Sequence, residues 1–374
     1  MGVGHVAADD HHAVAQLQVF VTARRRVGAE AALVADHRRG HAQPRVGLDV
    51  VGAHKAFGQF VDRYAGDGYG PTRTSQQMIE DAAKVPGLKH LDINVPFDIP
   101  ERTVVEIKKM LDDNGLICRA TTPHIYMREY VKGSFTNPDT KLRSQTKDRV
   151  REAIAAAEIL GATYVKFWPG QDGFDFPLQA NYLQIWDYTI NGIRDLANEN
   201  PKVQFAIEYK CKEPRVRMTL ATAAKTLLAI SEMKVDNVGI VMDFGHSLMA
   251  QETPAESLLL IHRHGKLVSA ELNDNWRGWD DDLPVASVHL FETIEYMLAL
   301  RSINWTDPVL LDQFPFREDP VRALTRSIEI ITYLEEVCDR VDIAALNQAQ
   351  NSQDALAAQA VIWDALMQEK RFTR

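Results

Sequence analysis

The chain has 374 residues and a formal net charge of −9. Apolar residues make up 45% and charged residues 25%, which is typical of a globular protein with a large core and argues against extended disorder. The acidic balance argues against a nucleic-acid partner, because such binding uses Lys and Arg to neutralise phosphates. No apolar run approaches the roughly 18 residues of a spanning helix, so no membrane partner is expected. Three widely spaced cysteines (Cys118, Cys211 and Cys338) form no disulfide framework and predict a reduced, cytoplasmic protein.

Residues 1–55 differ in composition from the rest of the chain. They contain half of the twelve histidines and carry a net charge of +2, whereas the remaining 319 residues carry −11. A targeting peptide fits poorly because Asp9 and Asp10 are acidic, and a metal-binding tract fits poorly because the histidines are scattered. Residues 1–55 are therefore predicted to be a poorly ordered extension, although residues 46–51 are compatible with a short strand.

From residue 75 onward, apolar strand-like runs alternate with helical patterns. The predicted strands are residues 88–94, 116–121, 163–168, 203–208, 238–242, 267–272 and 309–311. The predicted helices lie near residues 75–84, 101–114, 145–160, 183–199, 220–233, 255–264, 288–300 and 320–337. The clearest helix, residues 145–160, is followed by Gly161 as a C-terminal cap.

This alternation predicts parallel βαβ units and an α/β fold. With a further strand expected between about residues 45 and 70, the pattern predicts a (β/α)8 TIM barrel over residues 56–339; an open doubly wound sheet is the alternative. Residues 340–374 are predicted to form a C-terminal helical tail. No GxGxxG or P-loop follows a strand, so the sequence lacks the usual nucleotide-binding signatures.

Four carboxylates stand at the ends of successive predicted strands, where a TIM barrel builds its active site. They are Glu208, Asp243, Glu271 and Asp312. Any one of these acids alone is equally well explained as a helix cap or a salt-bridge partner. Four of them converging on one barrel mouth would repel each other unless cations bind them. Oxygen-rich ligand sets suit Mg²⁺, Mn²⁺ or Co²⁺, and His246, Asp280 and Asp282 lie on the following loops as further ligands.

The order and local sequence of these motifs resemble xylose isomerase and the wider xylose isomerase-like superfamily of sugar isomerases and epimerases. The similar segments are FAIEYKCKEPR (residues 205–215), AELNDNWRGWDDDL (270–283), LDQFPFRED (311–319) and FWPGQDG (167–173). The resemblance covers roughly residues 88–337. It implies a TIM barrel that binds a small-molecule sugar and divalent metal ions.

The resemblance implies two metal ions per subunit, Mn²⁺ or Mg²⁺ with Co²⁺ as a third option. The first ion would be held by Glu208, Asp243, Glu271 and Asp312. The second would share Asp243 and add His246, Asp280 and Asp282. Lys210 corresponds to the family lysine that hydrogen-bonds the carbonyl end of the sugar, and Trp168 corresponds to a tryptophan that packs along the hydride path.

Other sugar-site residues are less well defined. Thr121, Thr122 and Asn273 would lie near the sugar hydroxyls. The family's ring-opening histidine corresponds to His90, but the position of its aspartate partner holds Ile93. His90 therefore either keeps a catalytic role or faces the surrounding helices, in which case Asn94 or His124 would fill the space near the sugar.

The resemblance implies an aldose–ketose isomerase that works by metal-assisted hydride shift. A sugar 3-epimerase or a 3-oxo-glycoside lyase is the alternative, with Glu208 and Asp312 as acid and base. A metal-dependent endonuclease fits poorly with the acidic charge, and a non-catalytic sugar-binding subunit remains a further alternative. Because family members extend C-terminal helices around a partner, and Ile362, Trp363, Leu366 and Met367 form an apolar face, a homodimer or homotetramer is expected.

Overall fold

A computed structural model describes residues 19–23, 48–53, 68–71, 73–96, 103–213 and 215–367. Within these ranges there are twelve strands: β1 (Val19–Ala23), β2 (Leu48–Ala53), β3 (Leu88–Val95), β4 (Ile117–Pro123), β5 (Tyr164–Phe167), β6 (Gly173–Phe174), β7 (Phe205–Glu208), β8 (Lys212–Glu213), β9 (Val216–Met218), β10 (Val238–Asp243), β11 (Leu267–Leu272) and β12 (Val309–Leu311). The seven strands predicted from residue 88 onward are confirmed to within a few residues at each end.

The same ranges contain eleven α-helices: α1 (Ser75–Ala82), α2 (Val104–Asp113), α3 (Thr140–Leu160), α4 (Tyr182–Glu199), α5 (Ala223–Met233), α6 (Phe244–Met249), α7 (Pro254–Arg263), α8 (Leu290–Ser302), α9 (Pro320–Arg340), α10 (Ile343–Asn351) and α11 (Ala355–Met367). Thr74 and Thr103 begin α1 and α2 with complete capping boxes, which satisfy backbone N–H groups that the first turn leaves unpaired. Gly161 ends α3 in the left-handed conformation with φ 74°, as its position after the helical pattern predicts. Among these helices, none combines the length and the apolar character needed to cross a bilayer.

The described strands close into a barrel in the order β1-β12-β11-β10-β7-β5-β4-β3-β2. From β2 to β12 every neighbouring pair is parallel, which gives the eight parallel strands of the predicted α/β barrel. β1 pairs antiparallel with both β12 and β2 and bridges the ends of the parallel sheet. The remaining strands β6, β9 and β8 form a small separate sheet.

Two barrel strands, β1 and β2, lie on the amino-terminal side of the domain boundary predicted at residue 55. β1 and β2 both belong to the barrel sheet, although both lie within the segment predicted to precede it. β2 falls in the interval of residues 45–70, where a further strand is expected. Charge composition does not separate the two regions here, because strand pairing depends on backbone hydrogen bonds that do not require particular side-chain charges.

Side chains alternate between the two faces of the barrel wall, as the period of a strand requires. On one face, Val165, Phe167 and Ile207 pack in the core between sheet and helices. On the other face, five side chains form a separate apolar layer inside the barrel, namely Ala120, Tyr164, Ala206, Val241 and Leu310. Two residues after each of these apolar residues, toward the carboxyl end of the strand, the next side chain also points inward. These side chains form the floor of the barrel mouth.

The C-terminal helices pack against the chain's own barrel domain. Ile362 and Ala365 of α11 are buried, and the Arg340 Nε at the end of α9 donates a hydrogen bond to the Ala365 carbonyl over 2.9 Å. Trp363 meets Phe291 edge-on, with ring centroids 5.1 Å apart. This covers part of the apolar face within the chain; the homodimer or homotetramer stays a prediction.

Candidate active site

The centre of the barrel mouth contains a buried lysine surrounded by carboxylates. Lys166 lies on β5, two residues after Tyr164 of the apolar layer, and its side chain has no exposed surface. Its Nζ is 2.8 Å from Glu208 Oε2, and 3.4 Å from both Asp92 Oδ2 and Glu271 Oε1. A buried charge of this kind requires paired groups, and three strands supply them.

Four neighbouring side chains form a group with the geometry of a metal site. Glu208, Asp243, His246 and Asp312 are all buried, and one ligand atom from each lies within 4.8 Å of those of the others. Three carboxylates and one imidazole suit a hard or borderline divalent ion. In the described part of the chain, His246 Nδ1 has no hydrogen-bond partner and lies 3.4 Å from Glu208 Oε1. The residues present therefore fit a divalent cation.

Local structure explains how Asp243 and His246 reach the same point. Asp243 ends β10 and is the N-cap of α6, where its Oδ1 accepts a hydrogen bond from the His246 backbone N–H over 2.6 Å. The short helix α6 then returns the imidazole toward the strand end. Asn273 donates from Nδ2 to Asp243 Oδ2 over 3.1 Å, which fixes the other carboxylate oxygen.

A second lysine, Lys210, lies beside Glu208, Asp243, His246 and Asp312, which are called the metal group below. The Lys210 Nζ is 2.5 Å from Asp280 Oδ2 and also pairs with Glu213. The same Asp280 oxygen is 3.1 Å from His246 Nε2, so Asp280 connects Lys210 to the imidazole. Lys210 Nζ also lies 5.2 Å from the centroid of the Trp168 ring, within the range of a cation–π contact.

Aromatic side chains line one side of the mouth. Trp168 meets Tyr126 edge-on with centroids 4.6 Å apart, and Tyr126 meets His124 in the same way at 5.1 Å. Asn94 donates from Nδ2 to the Tyr126 hydroxyl over 2.6 Å. Asn94, His124 and Trp168 are each less than a tenth exposed. Together they form a wall that restricts water on that side of the cluster.

The pKa values reflect the excess of negative charge. Burial raises the pKa of Asp243, and burial together with the charges of Asp280 and Asp312 raises the pKa of Asp282 well above its ordinary value. Burial alone would lower the pKa of His246, but Asp243 and Asp280 outweigh it and raise the pKa to about 9. The two lysines therefore do not neutralise this mouth, which favours an additional cation.

The two lysines have different effects on the pKa values of the carboxyl groups that they contact. Burial would raise the pKa of Asp280, yet Lys210 and His246 hold it well below its ordinary range. Burial raises the pKa of Asp92 to about 6 even though Lys166 acts in the opposite direction. Asp280 is thus a fully charged partner, whereas Asp92 titrates nearer to neutrality.

The structure brings most predicted site residues together at this mouth. Glu208, Asp243, His246 and Asp312 form the metal group; Asp280 and Lys210 lie beside it, and Asn273 contacts Asp243 and approaches Asp282 Oδ1 at 3.4 Å. Glu271 is also buried, but its Oε1 is directed to Lys166. Thr122 is buried with its hydroxyl unpaired among the described residues.

Two predicted positions differ from the expected arrangement. The Thr121 hydroxyl donates to the Ala153 carbonyl of α3, so it faces the helix layer and not the barrel mouth. His90 is half-buried near the start of β3, and the side chain through which β3 reaches Lys166 is Asp92. A catalytic role for His90 stays a prediction.

Lys166, Asp92 and Tyr126 also line this mouth and were not predicted from the sequence. Lys166 and Asp92 each interrupt an apolar strand run, and each is two residues before a residue already considered, Trp168 and Asn94 respectively. Residues two apart share a face of a strand, so a charged residue with this spacing was the available signal. Tyr126 follows the end of β4 on a loop and had no such signal.

Comparison with known proteins agrees with this barrel. A family model described as xylose isomerase-like TIM barrel matches residues 81–334. A probable sugar isomerase of Rhizobium meliloti (strain 1021) is 25% identical over 353 residues, which cover 90% of this chain and 79% of that protein. A xylose isomerase of Bacillus pumilus (strain SAFR-032) is 27% identical over 202 residues, which cover 52% of this chain and only 43% of the xylose isomerase.

Among solved structures, a D-tagatose 3-epimerase-like protein has a TM-score of 0.58 and 18% sequence identity, over 71% of this chain and 95% of that one. At this level of identity the similarity supports the barrel fold and does not specify a reaction.

Proposed function

Since the chain belongs to the xylose isomerase-like TIM-barrel family of sugar isomerases and epimerases, we propose that it interconverts an aldose and a ketose with the help of a divalent metal ion. The observation that carries this proposal is the position of Lys210. Its ammonium lies between Asp280, at 2.5 Å, and the Trp168 ring, at 5.2 Å, beside the four-residue metal group. A fixed cationic donor, a metal group and an aromatic wall at one barrel mouth are the parts that this reaction requires.

The metal ion would be held by Glu208, Asp243, His246 and Asp312, whose carboxylate and imidazole donors suit Mn²⁺ or Mg²⁺. When bound, such an ion supplies Lewis-acid polarisation of the sugar's carbonyl and hydroxyl oxygens. Asn273 and the His246 backbone N–H hold the two oxygens of Asp243, and thereby fix the ligand set before the sugar arrives.

Lys210 would stabilise negative charge on the sugar oxygen at the carbonyl end. Burial alone would lower the pKa of Lys210, but Asp280, Glu213 and Asp282 raise it well above its ordinary value, so the side chain stays an ammonium. Asp280 and Glu213 also restrict the orientation of Nζ. A preorganised donor of this kind is effective because no solvent has to reorient during the reaction.

The aromatic wall would keep the transferred hydrogen from exchanging with solvent. Trp168 is 8% exposed and its ring is supported edge-on by Tyr126. Exclusion of water from the C1–C2 region allows the carbon-bound hydrogen to move directly between the two carbons as hydride. This distinguishes the proposed reaction from proton abstraction into solvent.

A sugar 3-epimerase is the second candidate. It is favoured by the presence of two carboxylates in the same buried group, Glu208 at the end of β7 and Asp312 directly after β12. Two such groups are the parts needed to remove a proton at C3 and return one from the other side.

A sugar panel followed by NMR in deuterated water distinguishes the two reactions. Protein stripped with a chelator and reloaded with Mn²⁺, Mg²⁺ or Co²⁺ is incubated with aldoses and ketoses, and the chelated protein serves as control. Aldose–ketose exchange with little deuterium on carbon is the expected result. Inversion with deuterium at C3 would support the epimerase, and no metal-dependent conversion of any sugar would contradict both.

A further inference from the structure

We infer that the ammonium of Lys166 takes the place of one of the two divalent ions that the sequence resemblance implies, so that each chain binds a single ion. The single remaining ion would bind to the group of Glu208, Asp243, His246 and Asp312. The inference rests on the metal dependence of the proposed function and concerns the number of ions.

The coordination of Lys166 matches the donors of an ammonium group. An ammonium has three N–H donors, and Lys166 faces three carboxylates. Nζ lies 2.8 Å from Glu208 Oε2, 3.4 Å from Asp92 Oδ2 and 3.4 Å from Glu271 Oε1. The side chain is completely buried, so these groups and no bulk water surround its charge. Lys166 therefore places its ammonium among the carboxylates in the centre of the acidic mouth.

The carboxylates of the mouth are divided between Lys166 and the group that fits a metal ion. The first implied ion requires Glu208 and Glu271 together, but both of these side chains are directed to the same ammonium. Among the described residues, the group whose ligand atoms lie within 4.8 Å of one another includes His246 in place of Glu271. Glu271 is thus assigned to Lys166, whereas Glu208 has one oxygen near Lys166 and the other near His246.

Electrostatic repulsion also acts between the Lys166 ammonium and a nearby divalent ion. A divalent ion bound by both Glu208 and Glu271 would lie close to Nζ, since Nζ is itself 2.8 Å from Glu208 Oε2 and 3.4 Å from Glu271 Oε1. Repulsion between two cations at that separation in a buried site is large. The ammonium and the first implied ion therefore compete for Glu208 and Glu271, and Lys166, which is part of the chain, is always present.

The first test is the metal content of the full-length protein. Protein stripped with a chelator is loaded with excess Mn²⁺, dialysed, and measured by inductively coupled plasma mass spectrometry. We expect one Mn²⁺ per chain and an electron paramagnetic resonance spectrum of an isolated ion. Two ions per chain would overturn the inference and leave the proposed function intact, whereas no binding of Mn²⁺ or Mg²⁺ would overturn both.

A charge-removing variant tests the role of Lys166 directly. Lys166→Met keeps the length of the side chain and removes the ammonium, and we expect its Mn²⁺ content to rise from one to two per chain. Lys166→Arg retains the charge and should stay at one. The double variant Lys166→Met with Glu271→Gln removes one charge of each sign, should also stay at one, and checks that the second ion depends on Glu271.

Circular dichroism establishes that each variant is folded. A folded Lys166→Met variant that still binds one ion would overturn the inference. If that variant does not fold, the wild-type stoichiometry decides the question alone.

Discussion

Gly170 lies directly against the ring of Trp168: a Cβ atom at residue 170 would stand 2.4 Å from two of the ring carbons. Tyr126 also contacts this indole and meets it edge-on, with ring centroids 4.6 Å apart. The loop after β5 therefore accepts this ring orientation because residue 170 has no side chain. The position of the indole in the mouth depends on both contacts.

Gly170→Ala is expected to displace the Trp168 ring and lower kcat/KM for the sugar by about 10- to 100-fold, because small misplacements of positioning groups are costly. The measurement is steady-state kinetics on the sugar identified by the NMR panel, with thermal unfolding to verify the fold. Gly70→Ala is the control, since no atom lies within 4 Å of a Cβ there. Unchanged kcat/KM in Gly170→Ala would show that the ring's position is unimportant.

Lys210→Met is expected to lower kcat by about 10²- to 10³-fold, the usual cost of removing one preorganised donor to a developing oxyanion. The Mn²⁺ content of the variant should not change, because Lys210 pairs with Asp280 and Glu213 and not with the four-residue metal group. Lys212→Met, a partly buried lysine two residues later on β8, is the matched control. A loss of less than tenfold in the Lys210 variant argues against the proposed role.

The barrel and most of its mouth were predictable because strand period and strand ends are local properties of the sequence. Glu208, Asp243 and Asp312 each follow an apolar run, and barrel topology brings such strand ends together. The alternation of β-rich runs and helical patterns predicted seven barrel strands to within a few residues, namely β3, β4, β5, β7, β10, β11 and β12. Strand period and strand ends can be recognised in the sequence without knowing which side chains contact each other in the fold.

The partners of those acids were not predictable in the same way. Glu271 looks like a metal ligand in sequence, but the Lys166 ammonium, on a strand three positions away around the barrel, is 3.4 Å from it. That contact depends on how far each side chain reaches across the interior, which no periodicity reports. β1 was missed for a related reason: it pairs antiparallel with β2 and β12, so the βαβ pattern did not include it.

The buried carboxyl of Asp92 predicts a pH-dependent stability. Its pKa is about 6 in the folded chain, because of burial, against an ordinary value of 3.8. The folded state therefore holds this proton more tightly than the unfolded state. The resulting stabilisation is present below pH 3.8 and is lost as the pH rises to about 6; a shift of this size corresponds to about 3 kcal/mol.

Asp92→Asn removes this titration. The difference in free energy of unfolding, variant minus wild type, should increase by about 2 kcal/mol between pH 4 and pH 7, measured by urea unfolding in the presence of a chelator. Asp113→Asn, on the exposed surface of α2, is the control. A difference for Asp92→Asn that is the same at both pH values would contradict the assignment.

Asp172 joins two loops of the mouth. It is 1% exposed and accepts hydrogen bonds from the backbone N–H and hydroxyl of both Ser134 and Thr136, with the two Thr136 bonds at 2.6 Å and the Ser134 N–H at 2.9 Å. Its own carbonyl accepts a hydrogen bond from the Thr219 N–H over 2.9 Å. Asp172 thereby connects the segment after β4 to the loop that carries Trp168 and Gly170.

Asp172→Ala is expected to lower the free energy of unfolding by about 3–5 kcal/mol, because four buried donors lose a charged acceptor. Asp175→Ala is the matched control: Asp175 pairs with Arg215, which is 73% exposed, and such a surface pair contributes about 1 kcal/mol or less. Urea unfolding of both variants at pH 7 measures the difference. Equal losses would mean that the buried carboxylate does not hold the loops together; a large loss confined to Asp172→Ala, with faster proteolysis after residue 132, would locate the instability in this connection.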